Sequence, residues 1–307
     1  MRVLSAIPEL GGVPAPVSIA IGVFDGVHLG HQALIGRAMS EAAKTGGSAV
    51  VLTFHPHPAR VLRPHAAPRL LTSTPHKIRL IEALGCEHLL LLPFDAAFAA
   101  QPPEAFIGKL SAGTRLHALC VGHQWAFGRN RSGNIDLLRR LGAAHGFESI
   151  EIDPVLAGGA LVSSTRIRQA VEAGDFAAAA VMLGRDYTIL GTVQRGAGVG
   201  RTLGFPTANL AAHNEQFPPD GVYAVRVLIR GSWRDGVANV GIRPTVGGNP
   251  ERLLEVHVFD FAESLYGEDI EVGFVEFLRP EQKFDGLESL RAQIARDVAG
   301  AKSRLAR

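Results

Sequence analysis

The sequence Ile19-Ala-Ile-Gly-Val-Phe-Asp-Gly-Val-His-Leu-Gly-His31 joins a strand, a turn and the start of a helix. Residues 17–23 show no polar alternation and lead into Asp-Gly, which predicts a short buried strand followed by a turn. From Gln32 onward the apolar residues recur with helical spacing and form one stripe: Leu34, Ile35, Ala38, Met39, Ala42 and Ala43. His28 and His31 are therefore predicted to lie where a strand passes into a helix.

This junction has the chemistry of an anion site. Unpaired backbone N–H groups and the positive end of the helix dipole favour an anion at the start of a helix. Gly30 permits a ligand to approach the backbone closely, and the imidazoles of His28 and His31 can point the same way. The His-x-Gly-His spacing is typical of nucleotidyltransferases that act on the α-phosphate of a nucleoside triphosphate. The alternative is that the histidines only cap a helix or fill a pocket.

Length and charge limit the possible functions. A chain of 307 residues is longer than one ordinary core, so two domains are expected. The net charge is +2, from 31 basic and 29 acidic residues. Because Lys and Arg form no block, we expect no nucleic-acid partner. The two cysteines, Cys86 and Cys120, lie in or beside apolar runs and are expected to be buried free thiols.

Targeting segments are also not indicated. The N-terminal residues lack a long apolar region and soon meet Pro8, Gly11, Gly12 and Pro14. No apolar run approaches the ~20 residues needed to cross a bilayer. We therefore expect a soluble, cytoplasmic protein without a membrane partner; the sequence does not predict its oligomeric state.

The two halves of the chain differ in their order of predicted strands and helices. Residues 1–185 alternate short apolar strands with helical segments, which predicts an α/β domain with a Rossmann-like parallel sheet and ligands at the carboxyl ends of its strands. Residues 186–307 contain short strands separated by Gly, Pro, Asn or Asp, which predicts a small antiparallel β-barrel of five or six strands. A helix with apolar residues on one side ends the chain.

A histidine-rich loop follows the second long strand. The sequence Phe54-His-Pro-His-Pro58, together with His28 and His31, can be interpreted as a four-histidine metal cluster. No carboxylate or cysteine is placed beside it by the sequence, so a loop that borders a nucleotide pocket is the preferred hypothesis. Phe54 and His57 are candidate lining residues.

A second motif that indicates phosphate binding is Val162-Ser-Ser-Thr-Arg-Ile-Arg168. The hydroxyl groups of Ser163, Ser164 and Thr165 can cap the helix that follows. The same hydroxyls, the helix N-terminus and either Arg166 or Arg168 also make a candidate anion clamp, and Arg168 lies one helical turn beyond Ser164.

The second half carries its own candidate site. Gly196-Ala-Gly-Val-Gly-Arg201 is followed by neither Gly-Lys-Ser/Thr nor an amphipathic helix, so a glycine flap over phosphates is favoured over a dinucleotide or Walker loop. Thr207 and Asn209 offer neutral oxygen ligands, or are only turn formers. Glu255 begins an alternating strand, where a carboxylate can accept the proton of an attacking alcohol or can be a plain edge-strand charge.

Together these motifs resemble bacterial bifunctional riboflavin kinase/FAD synthetases over nearly the whole chain. The motifs that carry the resemblance are Gly-Val-Phe-Asp-Gly-Val-His-Leu-Gly-His (22–31), Thr-Phe-His-Pro-His-Pro (53–58), Val-Gly-His-Gln-Trp-Ala-Phe-Gly (121–128), Val-Ser-Ser-Thr-Arg-Ile-Arg (162–168), Gly-Arg-Thr-Leu-Gly-Phe-Pro-Thr-Ala-Asn-Leu (200–210), Gly-Val-Tyr (221–223), Asn-Val-Gly-Ile-Arg-Pro-Thr (239–245), Glu-Val-His (255–257), Leu-Tyr-Gly (265–267) and Phe-Leu-Arg-Pro (277–280).

The resemblance implies a riboflavin kinase in the barrel, 186–307. There Glu255 would take the proton of the terminal ribityl hydroxyl as it attacks the γ-phosphate of ATP, which gives FMN. Thr207 and Asn209 would hold Mg²⁺. The residues implied to contact ATP are Gly196, Gly198, Gly200, Arg201, Gly204 and Pro206.

For residues 1–185 the resemblance implies an FMN adenylyltransferase, in which the FMN phosphate attacks the α-phosphate of a second ATP and gives FAD and pyrophosphate. His28 and His31 would stabilise the transition state. The implied ATP contacts are Gly22, Phe24, Asp25, Gly30, Ser163, Ser164, Thr165 and Arg168. The implied flavin contacts are Phe54, His57, Gln124, Trp125 and Phe127.

Two alternatives stay open, and the first of them rests on a departure from the family motifs. The family usually has Asp or Asn and then Phe where this chain has Gln124 and Trp125. The first alternative is a riboflavin kinase whose N-terminal domain binds nucleotide without transferring it. The second is a non-catalytic flavin-sensing protein.

Overall fold

A six-stranded parallel sheet forms the first part of the chain in the computed structural model, which describes residues 1–196, 198–243 and 251–306. The strand order is β1-β4-β3-β2-β5-β6, and every neighbouring pair is parallel. In chain order the strands are β1 (Arg2–Leu4), β2 (Val17–Ile21), β3 (Ser48–His55), β4 (His88–Pro93), β5 (Leu116–Gly122) and β6 (Glu148–Ile152).

Helices connect these strands, as right-handed crossovers require. They are α1 (Leu29–Thr45), α2 (Pro58–Leu62), α3 (Thr74–Ala83), α4 (Ala96–Ala99), α5 (Pro103–Gly113) and α6 (Ile135–His145). Short 3₁₀ turns occur at Ile7–Gly12, Pro64–Ala66 and Arg129–Arg131, and a small hairpin consists of β7 (Leu156–Ala157) and β8 (Ala160–Leu161).

Strand β2 is buried along its whole length, which explains its lack of polar alternation. Ile19 and Ile21 enter the apolar cluster on one face of the sheet, while Ala20 enters the cluster on the other face. A strand covered on both sides has no solvent face on which polar residues are favoured. The predicted α/β architecture of this half is confirmed.

The boundaries differ from the prediction in small ways. Helix α1 begins at Leu29, three residues before the predicted start at Gln32, because His28 and not a later residue is its N-cap. Strand β1 and the β7–β8 hairpin were not predicted. Each is only two or three residues long, so neither carries a period that sequence patterning can detect.

The second part of the chain contains a closed antiparallel barrel of six strands in the order β10-β13-β12-β11-β14-β9, as predicted. The strands are β9 (Tyr187–Gln194), β10 (Ala208–Ala212), β11 (Gly221–Ile229), β12 (Ser232–Arg243), β13 (Glu251–Val258) and β14 (Asp269–Arg279). The helices are α7 (Ser164–Glu172), α8 (Phe176–Leu183), the single turn α9 (Val199–Thr202) and the terminal α10 (Leu287–Leu305).

Contacts between residues divide the chain into two compact units. The first contains Met1–Arg69 and Thr74–Ser163, and the second contains Leu70–Ser73 and Ser164–Arg307. Helices α7 and α8 thus pack with the barrel, although they precede the predicted domain boundary at 185/186. That boundary stays a prediction for how the two activities divide.

Within the described ranges, no helix has both the length and the apolar character that spanning a bilayer requires.

Candidate functional site

The two histidines of the His-x-Gly-His motif are stacked on each other. Their ring centroids are 3.6 Å apart and their planes differ by 15°. His28 caps α1, because its Nδ1 accepts a hydrogen bond from the backbone N–H of His31 at 3.3 Å. This bond leaves the proton of the neutral ring on Nε2, so His28 can donate from Nε2 to an anion while its other nitrogen caps the helix.

Gly30 lies close to the ring of His28. A Cβ on Gly30 would lie 3.2 Å from Cε1 and 3.3 Å from Nδ1 of His28. A side chain at position 30 would therefore fit only if the His28 ring shifted by a few tenths of an ångström. Both the capping and the phosphate interpretations of the motif fit this geometry.

The loop before His28 has an unusual backbone. Phe24 and Val27 have φ values of 54° and 40°, and Gly26 between them has 85°. A non-glycine residue in this region costs on the order of 1 kcal/mol or more, and such strain concentrates at functional sites. The ring of Phe24 is completely buried and lies edge-on to His31, with centroids 5.2 Å apart. The Phe24 ring therefore packs against His31, and the nucleotide contact predicted for Phe24 stays a prediction.

Two further predicted residues shape the same loop. A Cβ on Gly22 would come within 2.9 Å of Cζ of Phe24, so glycine is needed for that ring to fold back. Asp25 is only 2% exposed. Both remain predicted ATP contacts.

An aromatic cavity of about 430 Å³ lies beside this loop. Gly22 and Val23 line it, and four of the predicted flavin contacts line it as well: Phe54, His57, Trp125 and Phe127. The rings of Trp125 and Phe127 stack with centroids 4.3 Å apart. Further ring pairs connect Phe54, Phe94, Phe98, Phe106 and Phe127. An aromatic wall of this kind suits a planar, apolar ring system.

Gln124 is placed differently from its neighbours. It is exposed, it is not among the residues that line the aromatic cavity, and its φ is 58°. Asn and Asp adopt positive φ more readily than other non-glycine residues. The Asp or Asn usual in the resembled family therefore has a backbone explanation, besides any contact with a ligand.

The histidine-rich loop does not form the metal cluster that the sequence left open. His57 caps α2, with Nδ1 accepting from the N–H of Ala59 at 3.1 Å, and Nδ1 of His55 lies 2.9 Å from Oγ1 of Thr74. Among the residues whose placement is described, the single group of three or more His, Cys, Asp or Glu able to share an ion is Glu41, His117 and Glu148. The interpretation as a pocket loop is supported, because His57 lines the aromatic cavity.

The Ser-Ser-Thr motif lies at the division between the units. Ser163 ends the second segment of the first unit, while Ser164, Thr165 and Arg168 belong to α7 of the second unit. Arg168 is one turn after Ser164 on this helix, as predicted. Their contacts with ATP stay predictions.

In the barrel, strand pairing places three predicted or candidate side chains in one row. Asn209 of β10 is opposite Glu255 of β13, and Glu255 is opposite Asn239 of β12. Directly opposed residues share one face of a sheet, with neighbouring strands about 4.8 Å apart. A carboxylate is thus flanked by two amide side chains.

Glu255 and Thr207 line a cavity of about 230 Å³. Its lining combines polar side chains, among them Asn239 and His257, with apolar ones, among them Phe284 and the α10 residues Leu290 and Ile294. A lining of this kind suits a ligand that has both a hydroxyl-bearing chain and an apolar ring system.

Thr207 also lines a second cavity, of about 340 Å³. It is lined by the predicted ATP contacts Arg201 and Pro206 and by the segment from Phe261 to Tyr266. Thr207 is common to both cavities. A group held at Thr207 can therefore contact ligands in both.

The glycine-rich segment lies directly against the two predicted metal ligands. A Cβ on Gly196 would be 2.2 Å from Nδ2 of Asn209, and one on Gly200 would be 3.2 Å from Oγ1 of Thr207. Gly198 and Gly204 have φ values of 75° and 87°, which favour glycine. Ala197 within the predicted flap lies outside the described residues, as do Pro244 and Thr245 of the resemblance motif.

Sequence reasoning missed three contributors to the barrel site. The guanidinium of Arg279 donates three hydrogen bonds to the carboxylate of Asp297, at 2.7–3.2 Å, and both residues line the smaller cavity. Glu281 accepts a hydrogen bond from Nδ2 of Asn239 at 3.0 Å. The Phe-Leu-Arg-Pro motif at 277–280 was the available signal, but pairing with α10 is a long-range contact that the motif does not specify.

Comparison with known proteins covers both halves. The family model described as FAD synthetase matches residues 13–166, and the model described as riboflavin kinase matches residues 183–305. Three similar curated proteins are each named bifunctional riboflavin kinase/FMN adenylyltransferase. The protein of Escherichia coli (strain K12) is 39% identical over 98% of this chain and 97% of its own length, that of Bacillus subtilis (strain 168) 38% over 91% and 89%, and that of Haemophilus influenzae 36% over 99% and 99%.

A solved structure from Streptococcus pneumoniae, described as a macrolide-efflux protein, is similar along the whole chain. The TM-score is 0.83 at 31% identity, over 98% of each chain. Two matched catalytic families, full-length relatives and a shared fold all agree with the motifs described above. The chain belongs to the family of bifunctional riboflavin kinase/FMN adenylyltransferases.

Proposed function

We propose that the two barrel cavities bind riboflavin and ATP, and that the aromatic cavity beside the His-x-Gly-His turn binds FMN. The chain is a bifunctional enzyme that phosphorylates riboflavin to FMN and then adenylylates FMN to FAD, with release of pyrophosphate. The observation that carries the assignment of the barrel cavities is that Thr207 lines both of them, the smaller one together with Glu255.

In the kinase step, the terminal ribityl hydroxyl approaches the γ-phosphorus of ATP between the two cavities. Glu255 accepts the hydroxyl proton while the new O–P bond forms and the bond to the β-phosphate oxygen breaks, so that ADP leaves. Asn239 on one side of Glu255 and Asn209 on the other fix the row in which the carboxylate lies. Phe284, Leu290 and Ile294 hold the isoalloxazine ring.

A divalent metal, which we assign as Mg²⁺, fits the donors on this face. Thr207 and Asn209 supply neutral oxygen atoms, and magnesium needs only one or two protein oxygens when phosphates and water provide the rest. When bound, the ion neutralises charge on the β- and γ-phosphates. Gly196 and Gly200 allow the flap backbone to lie against these two side chains.

In the adenylyl-transfer step, an oxygen of the FMN phosphate attacks the α-phosphorus of a second ATP and pyrophosphate leaves. Because the attacking group is already anionic, no protein nucleophile is needed. Nε2–H of His28, with His31 stacked beside it, donates to the α-phosphate as negative charge develops there. Trp125, Phe127 and Phe54, which line the aromatic cavity, hold the flavin ring.

We further propose that the protein acts in the cytoplasm on free riboflavin, FMN and ATP, without nucleic-acid or membrane partners. The absence of a basic block and the small size of all three cavities support this proposal.

The test separates the two chemistries in one protein. Wild-type protein incubated with riboflavin, ATP and Mg²⁺ should yield FAD when the flavins are separated by chromatography. Glu255→Gln should lose riboflavin phosphorylation by about two to four orders of magnitude, yet convert supplied FMN to FAD normally. Glu276→Gln is the matched control, since Glu276 lies on β14, pairs with Arg304 and lines neither barrel cavity. Normal phosphorylation by Glu255→Gln would remove Glu255 from its role, and FMN as the final wild-type product would mean that the first unit does not transfer.

A further inference from the structure

A buried lysine lies directly beneath the loop that leads to His28. Lys77 of α3 is only 5% exposed, and its Nζ donates a hydrogen bond to the backbone carbonyl of Val23 at 2.7 Å. The hydroxyl of Thr53, itself fully buried in β3, donates to the same carbonyl at 3.1 Å. Two side chains from different elements thus converge on one peptide oxygen.

Burying the ammonium group of Lys77 at this position costs free energy, because the charge loses its hydration. Burial lowers the pKa of Lys77 to about 8, and the negative charge of Asp25 only partly offsets this effect. Asp25, 2% exposed, belongs to the same loop. An apolar side chain of equal length would fill the space without this penalty.

The loop that Lys77 holds needs external support. Its backbone passes through positive φ at Phe24, Gly26 and Val27 before it reaches His28. Its start is fixed by the hydrogen bond from the N–H of Gly22 to Leu52, and its end by the bond from Nε2 of Gln32 to the carbonyl of Val27. Between these ends, the carbonyl of Val23 is the point held by Lys77 and Thr53. A conformation of this kind persists when the surrounding structure over-determines it.

We propose that Lys77 is a positioning residue for adenylyl transfer: through the Val23 carbonyl it fixes the loop that presents His28 and His31 to the α-phosphate. Lys77 itself contacts neither substrate in this proposal. The inference rests on the role proposed above for the two histidines.

The experiment compares Lys77→Met, Thr53→Val and the double variant in the full-length protein, with FMN, ATP and Mg²⁺. We expect Lys77→Met to lower kcat for FAD formation at least tenfold and to change KM for FMN less than threefold. Val23 of this loop lines the aromatic cavity, but the rings that are proposed to hold the flavin, those of Phe54, Trp125 and Phe127, lie outside the loop. Thr53→Val should lower kcat less. Since both donors act on one carbonyl, the double variant should lose less than the product of the two single losses.

Three controls distinguish a positioning role of Lys77 from a general effect on the fold. Lys109→Met removes an exposed lysine of the same unit, whose Nζ donates to Oε1 of Gln101 at 2.8 Å, and should leave kcat unchanged. Riboflavin phosphorylation should be normal in every variant. At pH 7, the melting temperature of Lys77→Met should be no lower than that of wild type, because a buried charge has been removed. If Lys77 had a purely structural role, Lys77→Met would instead melt at a lower temperature and keep a normal kcat.

A folded Lys77→Met variant with kcat within twofold of wild type would overturn the proposal, as would independent, multiplicative losses in the double variant. If Lys77→Met fails to fold, Thr53→Val alone decides: an unchanged kcat would overturn the proposal, and a lower kcat with an unchanged KM for FMN would support it. His28→Ala is measured in parallel. A normal rate in His28→Ala would refute the histidine role itself, whereas a loss in His28→Ala with normal Lys77→Met would refute only the inference about Lys77.

Discussion

The ring of Phe176 stacks on the ring of Phe274, with centroids 5.5 Å apart and planes 17° from parallel. Phe176 also meets Tyr223 edge-on at 5.6 Å. Tyr223 and Phe274 are among the largest fully buried side chains of the protein. Helix α8, which precedes the predicted kinase boundary at residue 186, therefore closes part of the barrel core.

This packing changes the fragment that should serve as an isolated kinase. The sequence alone suggests residues 186–307, but a fragment of 164–307 retains α7 and α8. We expect the longer fragment to phosphorylate riboflavin and to unfold at a higher temperature than the shorter one. Phe176→Ala in the full chain should reduce the stability of the barrel by about 3–4 kcal/mol. Val181→Ala, an exposed position on the same helix, should change it little.

Circular dichroism melts of both fragments, and urea unfolding of the two variants, measure these differences. Equal melting temperatures for 164–307 and 186–307 would show that α8 is dispensable for the barrel core.

The stacked histidines should affect only one of the two reactions. His28→Ala or His31→Ala removes a donor to the α-phosphate, and we expect FMN adenylylation to lose about 3–4 kcal/mol of transition-state stabilisation. Riboflavin phosphorylation should continue, since Glu255 and Thr207 lie in the barrel. Chromatography of flavins formed from riboflavin and ATP should show FMN accumulating. A folded variant that loses kinase activity as well would contradict the assignment of separate sites.

Substitutions of Gln124 should affect the stability of the protein through the backbone more than they affect flavin binding. Gln124→Asp should shift the rate of FMN adenylylation by no more than about 1 kcal/mol, the worth of one hydrogen bond. Gln124→Val should lower stability, because a β-branched residue is strained at a φ of 58°. Steady-state kinetics and thermal melts of both variants measure the two effects. A large gain in FAD formation by Gln124→Asp would instead mean that glutamine impairs the wild-type site.

Lys77 should make the free energy of unfolding of the first unit depend on pH in the alkaline range. Burial lowers its pKa from 10.5 to about 8. Between these values the unfolded chain binds more protons than the folded one, so the free energy of unfolding rises with pH through this window. The free-energy cost of burying the charged Lys77 side chain is fully present below about pH 8. Lys77→Met should lack this rise, and its stability relative to wild type should fall by up to about 3 kcal/mol from pH 7.5 to 10.5.

Urea unfolding followed by the fluorescence of Trp125, in a Trp233→Phe background, reports on the first unit. Parallel pH curves for wild type and Lys77→Met would contradict the prediction.

The two thiols should be unreactive while the protein is folded. Cys86 and Cys120 are free and buried, and burial raises the pKa of Cys120 to about 12 and that of Cys86 above its ordinary value. Little thiolate is then present at pH 8. A thiol-specific reagent should modify neither residue in native protein and both in urea. Rapid modification of native protein would show that one of them is accessible.

Much of the first unit could be predicted because its signals are local. The apolar run at 17–23, the helical stripe after it and the His-x-Gly-His spacing each depend on residues close in sequence. The start of α1 was misplaced by three residues, since a histidine that caps through Nδ1 is not a usual capping residue. Strand β10 was missed because its five residues include Ala208, Ala211 and Ala212, which carry little strand preference.

Periodicity and motif spacing are properties of neighbouring residues, and they were enough to predict the α/β unit, the antiparallel barrel and the family. The folded chain was needed to show that Asn209, Glu255 and Asn239 form one row, that α8 packs on the barrel and that Lys77 binds the Val23 carbonyl. These contacts join residues far apart in the chain. Their register is fixed by hydrogen bonds across strands and by the burial of matching surfaces, and no local pattern encodes which partner a strand or a helix face will meet.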